Sequence, residues 1–169
     1  ALKSRYKKAA AHKEQWRNIY EEAYEFALPM RNLYDGYAES VPGQNKMRRV
    51  FDSTAINSTS RFANKIQSSL FPPQRSWCRL VPGNEIPDEK KIDIQKVLDM
   101  YTEKMFGVMA QSGFDLAMGE FLLDLAVGTA VLMISPGDEI TPIRYTAIPS
   151  YHITFDEGPT GTVDTVYRE

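Results

Sequence analysis

Four acids sit in two pairs at turn-like stretches of this 169-residue sequence: Asp138 and Glu139 in "PGDE", and Asp156 and Glu157 in "FDEG". Carboxylates from two such turns, brought within a few Å of each other, would be the oxygen-donor set of a divalent cation and the start of a metal-dependent enzyme. Acids also favour turns for backbone reasons alone, since their side chains hydrogen-bond nearby N–H groups. The two histidines, His12 and His152, lie far apart, in no metal-spacing motif and beside no nucleophile signature. His12, on a basic helix, reads as solvated; His152, between Tyr151 and Ile153, reads as facing outward on a strand. Cys78 is the single cysteine, which excludes an internal disulfide framework and a cysteine-built metal site, and fits a reducing compartment. With Trp77 and Arg79 beside it and no histidine partner, it reads as a small buried side chain. GxSxG and glycine–lysine phosphate loops are both missing. No catalytic residue, metal ligand or cofactor is expected.

The basic stretches "KSRYKKAAAHK" and "KMRRVF" carry interspersed aromatics, enough for loose phosphate contact. No recognition module accompanies them, so any such contact would be sequence-independent. The formal net charge of −2 divides unevenly: residues 1–80 hold 14 Lys/Arg against 7 Asp/Glu, and residues 81–169 hold 6 against 15. That asymmetry fits head-to-tail contact between copies, a face turned to nucleic acid, or uneven solvated surface.

These residues need positioning elements. A helix is expected over residues 3 to 28, with Trp16, Tyr20, Ala23, Tyr24 and Ala27 as its packed stripe and Pro29 as its stop. Residues 30 to 47 read as a long irregular loop. Asp52 or Ser53 caps a second helix whose Ile56, Thr59, Ala63, Ile66 and Leu70 form a near-heptad stripe, with Phe62 adjacent. Pro72 and Pro73 end it, and "SWCRLVP" follows as a short strand or extended arm near residues 76 to 81. Pro87-Asp88-Glu89 opens a third helix with stripe Val97, Tyr101, Met105, Val108 and Met109. Gly113 separates it from a more buried helix that ends at Gly128. After Gly128 the apolar period shortens to two, predicting an antiparallel strand meander through "TAVLMIS", "PIRYTAIP", "YHITFDE" and "VDTVYRE". Helices followed by strands predict an α+β fold: a mainly helical region over 1–128 and a strand region over 129–169, with a small antiparallel sheet. The longest apolar run is broken by Asp124 and Gly128, so no membrane span is expected. A last strand with no closing element suggests a longer chain, or a second copy covering that edge.

Four stretches, in order, resemble the head-to-tail connecting (portal) proteins of short-tailed, podovirus-type bacteriophages. "YEFALPMRN" is similar to the close of that family's opening helix. "VFDSTAINSTSRFANKIQSSLFPPQRSWCRL" resembles its cap, helix, proline corner and Trp-containing strand. "SGFDLAMGEFLLDLAVGTAVLMI" is similar to its helix-to-strand passage, with Gly113 where Asn is usual. "AIPSYHITFDEGPTGTVDTVYRE" resembles the strand pair that follows. The structural motif carried over is Phe51, Asp52, Ser53, Thr54, Leu70, Pro72, Pro73, Trp77, Gly128, Thr129 and Ala130.

The resemblance implies a noncatalytic subunit of a homo-oligomeric ring, commonly a dodecamer, at one capsid vertex of the virion and assembled in the host bacterial cytoplasm. It implies as partners the terminase, the scaffold protein, the major capsid protein and the tail adaptor, with double-stranded DNA passing through the ring without sequence specificity. Family members continue for several hundred residues, so these residues would represent the N-terminal, wing-like part. In that frame Phe51 to Thr54 cap and orient the helix, and Pro72, Pro73 and Trp77 set the corner. A nonspecific nucleic-acid module built on the basic first helix is the second reading, and the four-acid metal enzyme is the third.

Overall fold

The computed structural model describes residues 2–31, 49–73 and 75–168. Its elements run α1 (Leu2–Ala27), α2 (Thr54–Leu70), α3 (Asp88–Gln111), α4 (Phe114–Val127), β1 (Val131–Pro136), β2 (Ile143–Ile148), β3 (Ile153–Glu157) and β4 (Val163–Arg168). The fold is α+β, with the helices first, as the change of apolar period predicts. The expected loop over 30 to 47 falls outside the described residues apart from Met30 and Arg31, which belong to a single 3-10 turn, Pro29–Arg31.

The central element is α4, which packs against α1, α2, α3, β1 and β2. It is the most apolar of the helices, and it buries Phe114, Ala117, Met118, Leu122 and Asp124 while Leu116 and Leu125 stay exposed. Its Phe114, Met118 and Leu122 form the core with Ala63 of α2, and Leu132 and Tyr145 of the first hairpin close over them. The small Ala63 and Thr59 let α2 lie close along α4. Leu70, expected on the packed stripe, is exposed instead. Gln67 already donates to the carbonyl of Asp115, the second residue of α4, at 2.8 Å. One turn further on, Leu70 has passed the end of its partner helix.

Two other stripes need correction. In α1 only Tyr24 of the expected five is fully buried, and Trp16 is exposed. The first half of α1 runs along β3 and β4 rather than inside a helix layer: Arg5 binds Asp156 (2.7 Å) and Asp164 (2.5 Å), and Tyr6 meets Tyr167 edge-on. The small Ala9 takes the buried place there. In α3, Val97 and Tyr101 are exposed, and the buried residue is Thr102. The side of α3 that faces inward is chosen by the segment before it. Residues 76–82 form no strand; Pro82 lacks an N–H donor, and no described strand pairs with the segment. The segment is tied to α3 by side chains: Arg79 to Asp99 through two 2.7 Å bonds, the Leu80 N–H to Thr102 Oγ1 at 3.2 Å, and Gln95 to the Leu80 carbonyl at 3.1 Å. The buried line of α3 is therefore polar, which an apolar periodicity cannot find.

The strands form two separate antiparallel hairpins rather than one meander. Val131 pairs with Ile148 and Pro136 with Ile143 in the first; Ile153 pairs with Arg168 in the second, with a register shift at Asp156/Glu157. Pro149 and the turn Ser150–His152 break the ladder between them. The first hairpin closes tightly at Gly137, where a Cβ would stand 1.8 Å from the Thr141 carbonyl oxygen.

Candidate functional site

At the start of α2, Asp52 accepts the N–H of Thr54 and Ser53 supplies the first carbonyl of the helix, to Asn57 at 2.9 Å. The hydrogen bonds from Thr54 hold the Asp52 carboxyl below its ordinary range. The Ser53 side chain makes no cap bond to the backbone and accepts from Asn57 instead. Phe51 is 95% exposed.

At the other end, the Phe71 N–H closes the last turn on the Gln67 carbonyl, and Pro72 and Pro73 end the helix. The chain then doubles back, so that Trp77 lies edge-on to Phe71 (5.1 Å between centroids) and Phe106 (5.5 Å) and stacks on Phe114 (6.2 Å). Phe114 meets Tyr145 edge-on at 5.1 Å. The proline corner thus gathers α2, the arm, α3, α4 and β2 onto one aromatic cluster. Edge-to-face pairs of this kind contribute about 0.5–1.5 kcal/mol beyond area burial. Cys78, next to Trp77, points outward and is exposed, contrary to the buried side chain expected; neighbours on an extended arm face opposite ways.

The eleven motif residues occupy three places. Phe51 to Thr54 stand at one end of α2, and Leu70, Pro72, Pro73 and Trp77 at the other, about 25 Å away for a helix of this length. Gly128, Thr129 and Ala130 form the link from α4 to β1. Gly128 has an extended φ of 179° rather than a left-handed one, so its role is space. A Cβ there would come within 2.7 Å of the Tyr20 ring on α1. Gly113 is the left-handed position, at φ 71° and ψ 25°. Glycine accepts that conformation without strain, which suits Gly113 to the turn between α3 and α4.

Sequence reasoning missed the most buried charge. Asp124 is 1% exposed and accepts from Arg31 Nη2 (2.6 Å), Arg31 Nε (3.1 Å) and the Tyr24 hydroxyl (3.2 Å). Ser150 Oγ donates to that same hydroxyl, and Glu120 lies 3.2 Å from Arg31. Burial pulls the Arg31 guanidinium down, but the bonds and charges of Asp124 and Glu120 outweigh it and hold it above its ordinary value. The network joins the end of α1, the last turn of α4 and the turn between the hairpins. Its signal was an acid inside the apolar run "FLLDLAV", used above only to exclude a membrane span.

The four turn acids do not assemble. Asp156 is held by Arg5, and Asp138 accepts from the backbone N–H of Thr141 and Ile140 with Arg144 at 3.7 Å. No group of three or more His, Cys, Asp or Glu with metal-binding geometry occurs among the described residues. His12 lies on the rim of a groove of about 570 Å³ between α1 and β3, with Trp16 and Phe155. His152 sits half-buried in the turn before β3, edge-on to Tyr151 at 5.2 Å, and not on a strand as expected. Among the described residues the arrangement braces segments against one another.

A signature of the family described as "Bacteriophage head to tail connecting protein" matches residues 1–169. The chain belongs to the bacteriophage head to tail connecting proteins. No curated protein matches it. The family is structural rather than enzymatic, and its members are components of the virion that connect head and tail. No described helix of this connecting protein is long and apolar enough to cross a membrane.

The arm of the connecting protein carries a pH-dependent contact. Hydrogen bonds from Arg79 and Gln95 hold the Asp99 carboxyl below its ordinary 3.8. A depressed carboxylate contributes above its unfolded pKa and loses that contribution as pH falls through the folded one. Acidification from about pH 5 to below about pH 3 is expected to free residues 76–82 from α3, and the protection of the Leu80 amide against deuterium exchange, taken relative to its intrinsic rate at each pH, then falls. Arg79→Ala should show the lowered protection already at neutral pH; equal protection in both proteins at both pH values would refute the contact.

Proposed function

We propose that this chain is the wing-like part of a portal subunit, one copy in a homo-oligomeric ring of roughly a dozen. The ring joins the capsid to the tail and passes double-stranded DNA during packaging and ejection. The observation that carries this is the family match over the full 169 residues. Consistent with it, the described chemistry is bracing: an aromatic cluster at the proline corner, a buried ion network and two short hairpins. Pro72, Pro73 and Trp77 fix the direction in which the arm leaves α2, and Gly128 lets α1 close on α4. The partners are the capsid protein and scaffold during head assembly, the terminase during packaging, and the tail adaptor afterwards, with assembly in the host cytoplasm.

The basic first half of α1 supports a second reading, contact with nucleic acid. Lys3, Lys7 and Lys8 are exposed there. Arg5 is occupied by Asp156 and Asp164, and Lys13 donates to the Tyr151 carbonyl, so fewer cations face outward than the sequence suggests.

Particle mass decides between them. On the longest natural form of the protein, light scattering and electron microscopy are expected to show a closed ring with a central hole. A full-length chain that stays monomeric at high concentration, yet binds DNA with steep salt dependence, would replace the portal reading with the nucleic-acid one.

A further inference from the structure

The chain exposes 12005 Å² of surface. A compact monomer of its 19.2 kDa exposes about 8,400 Å² by the scaling of folded monomers. The excess of about 3,600 Å² is more than twice what two standard interfaces, at roughly 800 Å² each, would cover on one subunit. Such surface requires polypeptide against it.

Helix α3 carries four of the exposed large apolar side chains: Ile92, Val97, Met100 and Tyr101. Its inward line, Gln95, Asp99, Thr102 and Phe106, is taken by the arm and Trp77. On another side, Ile94, Val97, Tyr101, Lys104 and Val108 recur at alternating three- and four-residue steps, the spacing of a seam that takes a second helix. Val97 is 49% exposed, Tyr101 53%, and the adjacent Met100 45%. Charges of both signs flank the exposed Val97, Met100 and Tyr101: Asp93 and Lys96 before them, Glu103 and Lys104 beyond. An apolar centre containing Tyr and Met, with a mixed polar rim, is the anatomy of a protein–protein contact. The acids in the rim and the apolar centre disfavour DNA as the occupant.

We propose that this face of α3, centred on Val97, Met100 and Tyr101, docks against a second copy of this chain. The proposal rests on the ring reading, in which every subunit meets a copy on each side through two unlike surfaces. α1 packs on α2, α4 and β3, whereas α3 packs on α4. Exposed apolar residues also stand on α1, at Trp16 and Ile19, and that helix attaches differently, so unlike surfaces are available.

The test uses the full-length protein. Val97→Asp combined with Tyr101→Asp is expected to convert the ring to species of one or a few subunits, with an unchanged circular dichroism spectrum. A ring of unchanged mass from that variant overturns this docking face while leaving the ring reading intact. A wild-type protein that forms no ring overturns both. A second measurement covers a variant that fails to fold: a photoreactive phenylalanine analogue in place of Tyr101, irradiated in the wild-type ring. An adduct of twice the subunit mass is expected. Cross-links confined to single chains overturn the proposal, because they show that another part of the same chain covers α3.

Discussion

Asp124→Ala is expected to lower stability by about 3–5 kcal/mol, the cost of leaving a buried ion without its partner. In a chain of this size that corresponds to a fall in Tm on the order of 10 °C. The reason lies in what stays behind. Arg31 keeps its guanidinium in a largely buried place with Glu120 at 3.2 Å but without Asp124, and the Tyr24 hydroxyl loses its bond to Asp124. Asp124→Asn keeps the shape and an acceptor, so it should cost less. Replacing both ions, Arg31→Met with Asp124→Leu, should recover much of the loss, since apolar replacements of buried pairs are often neutral or better. Chemical denaturation of the four proteins, read as a double-mutant cycle, measures the coupling. A loss below about 1 kcal/mol for Asp124→Ala would mean that the network contributes little.

The second large effect is at Phe114. Phe114→Ala removes the ring on which Trp77 stacks and which Phe71 and Tyr145 meet edge-on. Truncation of a buried aromatic costs about 3–5 kcal/mol, because the neighbours close the cavity only in part. Phe114→Leu keeps most of the volume and should cost less than about 1.5 kcal/mol. Trp77→Ala should fall between, since Trp77 is 37% exposed. Tryptophan emission gives an independent reading: Phe114→Ala should shift the Trp77 signal to the red, while Trp16 is already largely solvated. Unchanged emission with full stability would show that the corner does not depend on this cluster. If the effect is as expected, the double proline acts by returning Trp77 to α4, and the brace that results is what a ring subunit under load would need.

The two variants also separate what was legible in the residues from what was not. Element types followed from local rules. Prolines stopped α1 and α2, Pro87 with Asp88 and Glu89 opened α3, and the change from helical to alternating apolar period after Gly128 marked the strands. Those signals act over a few residues, so the chain carries them without help. The Phe71–Trp77 stretch likewise announced a corner, and the ordered motifs pointed to the connecting family that the full-length match then established.

Which face of each helix is buried was another matter. Val97 and Tyr101 lie on a good apolar stripe of α3, yet the arm binds the polar line through Asp99 and Thr102, because two ion-pair bonds and a free backbone N–H found partners there. Trp16 lies on the stripe of α1, yet that half of the helix meets a hairpin anchored by Arg5. Asp124 interrupts an apolar run, and only the arrival of Arg31, 93 positions away, makes its burial tolerable. Periodicity reports how apolar a face is. It carries no information about which distant segment arrives, and a polar segment with its hydrogen bonds satisfied can claim a face that the apolar stripe does not.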